Sequence, residues 1–309
     1  MEQNISYKLL SYQSPDGPCA GVAVGESVYS ISEITGNSAY ATMLGVLEDW
    51  ASAQAAIDAA IQHLQGKGAS PLNDVPLLPP VLYPSCIFCA GANYSDHTLE
   101  MAKAQNIEPE PDPRTLGLKP WHFIKAPRAT VAANAVVPLP AYSQMVDWEA
   151  ELAAVIAKPA RNVTVADALN HVAGYTIAND LSARDFTRRP NVAPESPFKY
   201  DWMSQKCFEG SCPIGPWIVP AKQVADPQNL KIQLTVNGVL KQDSHTSRMI
   251  FSLAEQIAHL STRLTLHPGD VILTGTPAGV GMARREFLKP GDVVSITIEK
   301  IGTLTNTMA

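Results

Sequence analysis

From Ser85 to the C-terminus the chain is a succession of short apolar runs bounded by Pro, Gly, Asn and Asp, with few stretches long enough for a helical period. The runs at 131–138, 149–156, 171–178, 230–236, 270–274 and 292–298 have the length and punctuation of strands. Runs of this kind bury their faces against one another, so the expected fold class is mainly β with short helices. The exceptions are Thr164-Val-Ala-Asp167, which reads as a capping box opening a helix through Asn170, and the helical apolar period from Phe251 to Leu264.

The first third has a different texture. Short β-like runs at 5–11, 19–24 and 27–31 are separated by Ser14-Pro15-Asp16-Gly17 and Gly25-Glu26. From Tyr40 to Gln65, apolar residues at Met43, Val46, Leu47, Trp50, Ala53, Ile57, Ile61 and Leu64 recur at helical spacing, which predicts one long helix stopped by Gly66-Lys67-Gly68. Prolines at 71, 76, 79, 80 and 84 then stiffen an extended connector. The expected organisation is a small α/β N-terminal domain over 1–78 and a larger β domain over 79–309.

Composition narrows the functional classes. At 309 residues and 46% hydrophobic, the chain can bury a large core. Its 23 basic and 29 acidic residues give a net charge of -6, without a Lys/Arg cluster interleaved with aromatics, so nucleic acid is not an expected partner. The longest apolar stretches, such as 152–157, fall short of the ~18–20 residues a bilayer demands. Met1 to Lys8 show no basic segment leading into an apolar run, so a cytoplasmic location is expected. Five cysteines argue for reduced thiols. Cys86-x2-Cys89 and Cys207-x4-Cys212 have tempting zinc spacing, but one pair lies in the run 85–90 and the other straddles a Gly-Ser turn, which suits small buried hydrophobes better.

Several constellations carry chemistry. Glu149 and Glu151 stand two residues apart at the head of a strand-like run, so alternation puts both on one face. An arbitrary Glu-x-Glu is usually solvated, but Asp180 ends a second apolar run whose tip could approach the first. Three oxygen ligands suit Mg²⁺ or Mn²⁺ and suit zinc poorly. His97 and Glu100 are spaced i, i+3 on a segment turning helical, where a carboxylate can orient an imidazole as a general base; alone, such a pair is most often an ordinary surface contact. Lys125 and Lys206 sit among apolar residues, where an ammonium either snorkels or finds an anion. Residues 273–281, Leu-Thr-Gly-Thr-Pro-Ala-Gly-Val-Gly, end a strand in a glycine-rich loop able to offer N–H groups and hydroxyls to an anion. P-loop, dinucleotide, nucleophile-elbow and zincin signatures do not occur.

In order, Asn-Tyr-x-x-His-x-x-Glu at 93–100, Phe-Ile-Lys at 123–125, Asp-Trp-Glu-Ala-Glu-Leu at 147–152 and Gly-Tyr-x-x-x-Asn-Asp-x-Ser-Ala-Arg-Asp at 174–185 resemble the fumarylacetoacetate hydrolase superfamily. Gln-Lys-Cys-Phe-Glu at 205–209, Cys-Pro-Ile-Gly-Pro at 212–216, Val-Asn-Gly at 236–238, Gln242 and Pro-Gly-Asp-Val-Ile-Leu-Thr-Gly-Thr-Pro at 268–277 extend the match, which runs from about residue 79 to the end. The resemblance implies a mixed β-roll core, a homodimer and a small dicarboxylic oxo-acid substrate. It implies Glu149, Glu151 and Asp180 as ligands of Mg²⁺ (or Mn²⁺), His97 and Glu100 as a water-activating dyad, and Lys206 as the catalytic ammonium. Lys125, Arg184 and Thr276 are implied at the substrate. Thr187 departs from the Gln that many members carry there. The implied activity is hydrolysis of the C–C bond of a 2,4-dioxo acid, such as fumarylpyruvate or maleylpyruvate, to pyruvate and a carboxylic acid. The same site would otherwise decarboxylate or tautomerise oxaloacetate, or isomerise a 2-hydroxy-2,4-dienoate.

Overall fold

The computed structural model describes residues 5–64 and 68–309. Its principal elements are β1 (Lys8–Ser14), β2 (Gly17–Val24), β3 (Ser27–Ser30), α1 (Met43–Glu48), α2 (Trp50–Ile61), β4 (Ile87–Ala90), α3 (Ser95–Gln105), β5 (His122–Lys125), β6 (Ala150–Ile156) and β7 (Val172–Asn179). They continue with α4 (Trp202–Lys206), β8 (Cys212–Pro220), β9 (Lys231–Val236), β10 (Val239–His245), α5 (Leu253–Ser261), β11 (Val271–Leu273), β12 (Val293–Ile298) and β13 (Gly302–Met308). The fold is mainly β with short helices, as the turn-punctuated sequence requires.

One large sheet runs β3-β2-β1-β8-β7-β6-β11-β4-β5, and a second runs β10-β9-β12-β13 with Val136–Val137 at its edge. The strand β6 is central and every one of its residues is buried. One face, with Leu152, Ala154 and Ile156, packs on Ile232, Leu234 and Ile296 of the second sheet and on Ile257 and Leu260 of α5. The other face, with Ala153 and Val155, belongs to a core containing Leu9, Val22, Met43, Trp50 and Ile57. Burial on both sides explains why β6 reads as a continuous apolar run rather than an alternating one. The N-terminal strands join the same sheet through β1 and β8, where Leu9 is registered against Ile218.

Three local expectations are corrected: the run 131–138 is not one strand but two short pieces, Thr130–Val131 and Val136–Val137, parted by a turn at Asn134 with φ 65°. The long helix over 40–65 is broken: Ser38–Ala41 is a 3-10 turn, α1 starts where the Thr42 hydroxyl caps Gly45 N–H, and α2 begins after Asp49, at φ -117° and ψ 43°. The apolar period survives the break because both helices present one face to one core, with Met43, Val46, Leu47, Trp50, Ala53, Ile57 and Ile61 all buried. α2 ends at Ile61; the expected stop at Gly66-Lys67 lies outside the described residues. Thr164 does bond Asp167, through side chain and backbone, but only a turn and the 3-10 segment Ala168–His171 follow. A complete capping box forms instead at Ser252 and Glu255, opening α5. Among the described residues, no helix is long and apolar enough to cross a membrane.

Candidate metal centre

The site is made where β6 and β7 end. Their antiparallel register sets Ala150 against Asn179 and Glu151 against Ala178, and the Asp180 N–H donates to the Glu149 carbonyl at 2.9 Å. Asp180 therefore stands opposite Glu149, while Glu151 is on the same face two residues along. Oxygens of Glu149, Glu151 and Asp180 lie within 4.8 Å of one another, the only cluster of three or more candidate ligands among the described residues. All three side chains are buried, so an open solvated face is ruled out for the Glu-x-Glu pair. No cysteine joins such a cluster, and all five thiols are free.

Cations surround the cluster unevenly. The Lys206 ammonium reaches Glu149 Oε2 at 2.8 Å and Asp180 Oδ2 at 2.7 Å. Lys125 donates to Asp180 Oδ1 at 2.6 Å and to the Leu181 carbonyl at 3.1 Å. Arg184 bridges Asp147 through Nε at 2.9 Å and Glu149 through Nη2 at 2.5 Å. Four carboxylates thus meet three cations, and Glu151 is the one without an ion pair among the described residues. Burial raises the Glu149 pKa, but Lys206 and Arg184 outweigh it and hold the carboxyl at about 2. Burial, reinforced by Asp180 and Glu149, pushes Glu151 well above the ordinary carboxylate range. A buried carboxyl with only the Gly275 N–H at 2.6 Å for company, beside two further carboxylates, fits a hard divalent cation: the ion would offset the remaining charge with the oxygen donors it prefers.

The glycine-rich loop after β11 does bind anions, and in this structure they are the protein's own carboxylates. Gly275 N–H donates to Glu151, Ala278 N–H to Asp96 at 3.4 Å, Gly279 N–H to Glu100 at 2.6 Å, and Gly281 and Met282 N–H to Asp147 at 2.6 and 3.0 Å. The loop clasps α3, which carries His97 and Glu100, against the end of β6. Gln242, fully buried, accepts from Ala150 N–H and donates to the Thr276 hydroxyl at 2.9 Å, leaving the Thr276 O–H proton available to another acceptor.

The expected site residues converge with differences in partnership. His97 Nδ1 is buried with no partner, and burial pushes the imidazole down to about 4, against the opposing pull of Glu149. Glu100 is bonded to the loop rather than to His97. Lys125, expected at the substrate, has its ammonium on Asp180 and a backbone carbonyl, with its side chain 0% exposed. Thr187 closes the turn after Arg184, its N–H donating to the Arg184 carbonyl at 3.2 Å. Sequence reasoning gave no role to Asp147, Asp96 or Asn179. The first is two residues before Glu149, so the same alternation that paired the glutamates puts it on their face; Asn179 holds the Glu149 N–H at 3.0 Å.

Gly279 tests the clasp. Its φ is +102°, and an added Cβ would lie 2.1 Å from the Lys241 carbonyl oxygen. Gly279→Ala is expected to lower stability by at least ~2 kcal/mol, from backbone strain together with overpacking. Urea denaturation measures it, and a loss under ~0.5 kcal/mol, the range of a neutral surface change, would show that the loop yields freely.

A mainly β scaffold closing on a buried carboxylate triad ringed by lysine and arginine makes a site of the class that could hold a divalent ion. The family model for the fumarylacetoacetate (FAA) hydrolase C-terminal region matches residues 86–309, and the chain belongs to this family. It is 43% identical over 238 residues to the human mitochondrial oxaloacetate tautomerase FAHD2B, covering 76% of this chain and 70% of that protein. Among solved structures it is similar to 2-hydroxyhepta-2,4-diene-1,7-dioate isomerase from Mycobacterium marinum, with 33% identity, 98% coverage of both chains and a TM-score of 0.72. It is also similar to maleylpyruvate hydrolase from Sphingobium sp. SYK-6, solved with manganese(II) and pyruvate, with 29% identity, 98% coverage of both chains and a TM-score of 0.75.

Proposed function

We propose that this protein interconverts the keto and enol forms of a small 2-oxo dicarboxylic acid, with oxaloacetate as the substrate suggested by the name of its human relative. The observation that carries this reading is the partnership of Glu100. Its carboxylate accepts from Gly279 N–H at 2.6 Å, leaving the His97 Nδ1 without the anion that would hold it as a water-activating base. Tautomerisation asks less: a proton must move between the carbon beside the oxo group and the oxo oxygen, without an attacking hydroxide.

Glu149, Glu151 and Asp180 would hold Mg²⁺ or Mn²⁺, which supplies Lewis acidity to a chelating 2-oxo acid and so acidifies the adjacent C–H. The Lys206 ammonium, fixed between Glu149 and Asp180, places positive charge where a substrate oxygen gains electron density. His97, neutral above about pH 4, would accept the proton from the carbon and deliver it to the enolate oxygen, or the reverse. The Thr276 hydroxyl and Arg184 lie at the same end of the strands, as groups suited to a carboxylate.

The second reading is hydrolysis of an acylpyruvate, favoured by the presence of both His97 and Glu100 and by the similarity to maleylpyruvate hydrolase. Glu100→Gln separates the two. Under the tautomerase reading it is expected to change turnover of enol-oxaloacetate less than ~10-fold, because the amide oxygen still accepts from Gly279, whereas His97→Ala lowers turnover by ~10²–10⁴-fold. A wild type that hydrolyses acylpyruvates quickly, tautomerises oxaloacetate negligibly and loses hydrolysis on Glu100→Gln would establish the second reading. The acid limb of kcat/KM is expected near pH 4, where burial has moved His97, rather than near the ordinary 6.5: activity persists at pH 5 and falls as the imidazole takes a proton below that. A limb centred above pH 6 that stays in place as the ion concentration is raised would remove His97 from the role, since a limb set by protonation of Glu151 moves with the ion.

A further inference from the structure

Asp147 lies outside the triad, yet it is 0% exposed and fully engaged. Its Oδ1 accepts from Trp148 N–H at 2.8 Å and Gly281 N–H at 2.6 Å; its Oδ2 accepts from Met282 N–H at 3.0 Å and Arg184 Nε at 2.9 Å. Only a glycine permits that approach at 281, since a Cβ there would sit 2.0 Å from the Glu286 carbonyl oxygen and 2.8 Å from Asp147 Oδ1. The other donor on the same edge of the guanidinium, Nη2, goes to Glu149 Oε1.

The Nε and Nη2 pair is the edge with which arginine grips both oxygens of one carboxylate. Here that edge is divided between two carboxylates two residues apart. We infer that Asp147 is a positioning residue of the metal centre: by holding Nε, it prevents Arg184 from closing on both oxygens of Glu149, so that Oε2, which Lys206 meets at 2.8 Å, keeps a lone pair for a divalent ion. The three backbone donors fix the Asp147 carboxylate, so the split is imposed by the fold and not by the cluster itself. In its absence, Arg184 swings onto Glu149 and competes with the ion for it.

The inference rests on the metal-site reading, and titration of the full-length protein with Mg²⁺ and with Mn²⁺ by calorimetry tests the two separately. Asp147→Asn is expected to weaken ion binding by ~10–100-fold, the usual effect of losing a group that orients a ligand. Arg184→Lys keeps a charge but has no edge to close on Glu149, so it should bind the ion at least as tightly as wild type. It remains informative if Asp147→Asn fails to fold. In the double variant the ion affinity should return to within ~3-fold of Arg184→Lys, because the competitor is gone. A merely structural Asp147 would lower the melting temperature in divalent-free buffer while leaving the affinity unchanged, and that result overturns the inference. So does a 10-fold weakening in Arg184→Lys alone, or an equal loss on adding Asp147→Asn to it. A wild type with no saturable ion binding overturns both this inference and the metal reading beneath it.

Discussion

Glu151→Gln is expected to melt no lower than wild type in divalent-free buffer, and to lose both activity and the stabilisation that Mg²⁺ or Mn²⁺ confers. The carboxylate is 1% exposed and has no cation of its own among the described residues, so replacing it with an amide removes a buried charge without orphaning a partner ion. The Gly275 N–H keeps an oxygen acceptor in the amide. Wild type should gain ~2.7 kcal/mol at an ion concentration 100 times the dissociation constant, and the variant close to none. Loss of the Lewis acid removes several kcal/mol of transition-state stabilisation, so kcat/KM should fall by ~10³-fold or more. A variant that melts several degrees lower without ion, yet gains as much as wild type from Mg²⁺, would make Glu151 a structural carboxylate and dissolve the triad as a ligand set.

Lys206→Met should behave in the opposite way without the ion. The ammonium is the shared counter-ion of Glu149 and Asp180, and its side chain is 5% exposed. Removing one member of a buried ion network costs about 3–5 kcal/mol, because the remaining charges are left uncompensated. A divalent cation restores the balance, so much of the lost stability should return on adding Mg²⁺ or Mn²⁺ at saturating concentration. Activity should not return: a missing positive charge at a developing oxyanion lowers kcat by ~10²–10³-fold. Thermal unfolding with and without the ion, paired with turnover at saturating ion, reads both effects. Unchanged stability and turnover would mean that the ion pairs of Lys206 contribute nothing that solvent could not replace.

The local pattern foretold several elements. Alternation at Glu149 and Glu151 put two carboxylates on one face, and the apolar runs gave the positions of β6, β7, β9 and β12 to within a residue or two at each end. It missed β8, β10 and β13. β10 is an edge strand of largely polar, solvent-facing residues, Val-Leu-Lys-Gln-Asp-Ser-His, and so lacks the apolar signature of a half-buried strand. In β13 one inward position is Asn306, whose amide is satisfied only by the distant carbonyls of Ala132 and Ala135.

What the sequence determined by itself was what depends on near neighbours: strand and turn periodicity, the shared face of the two glutamates, the i, i+3 spacing of His97 and Glu100, and a choice of oxygen donors suited to a hard ion. Tertiary structure decided pairings between groups far apart in the chain. Asp180 faces Glu149 because of the β6–β7 register, Lys125 serves Asp180 from 55 residues away, and Glu100 bonds a loop 179 residues downstream rather than the histidine one turn from it. Periodicity carries no information about such partners. A buried charge takes the counter-ion or donor that the folded chain brings within reach, and that choice is fixed only when strand register and loop path are fixed.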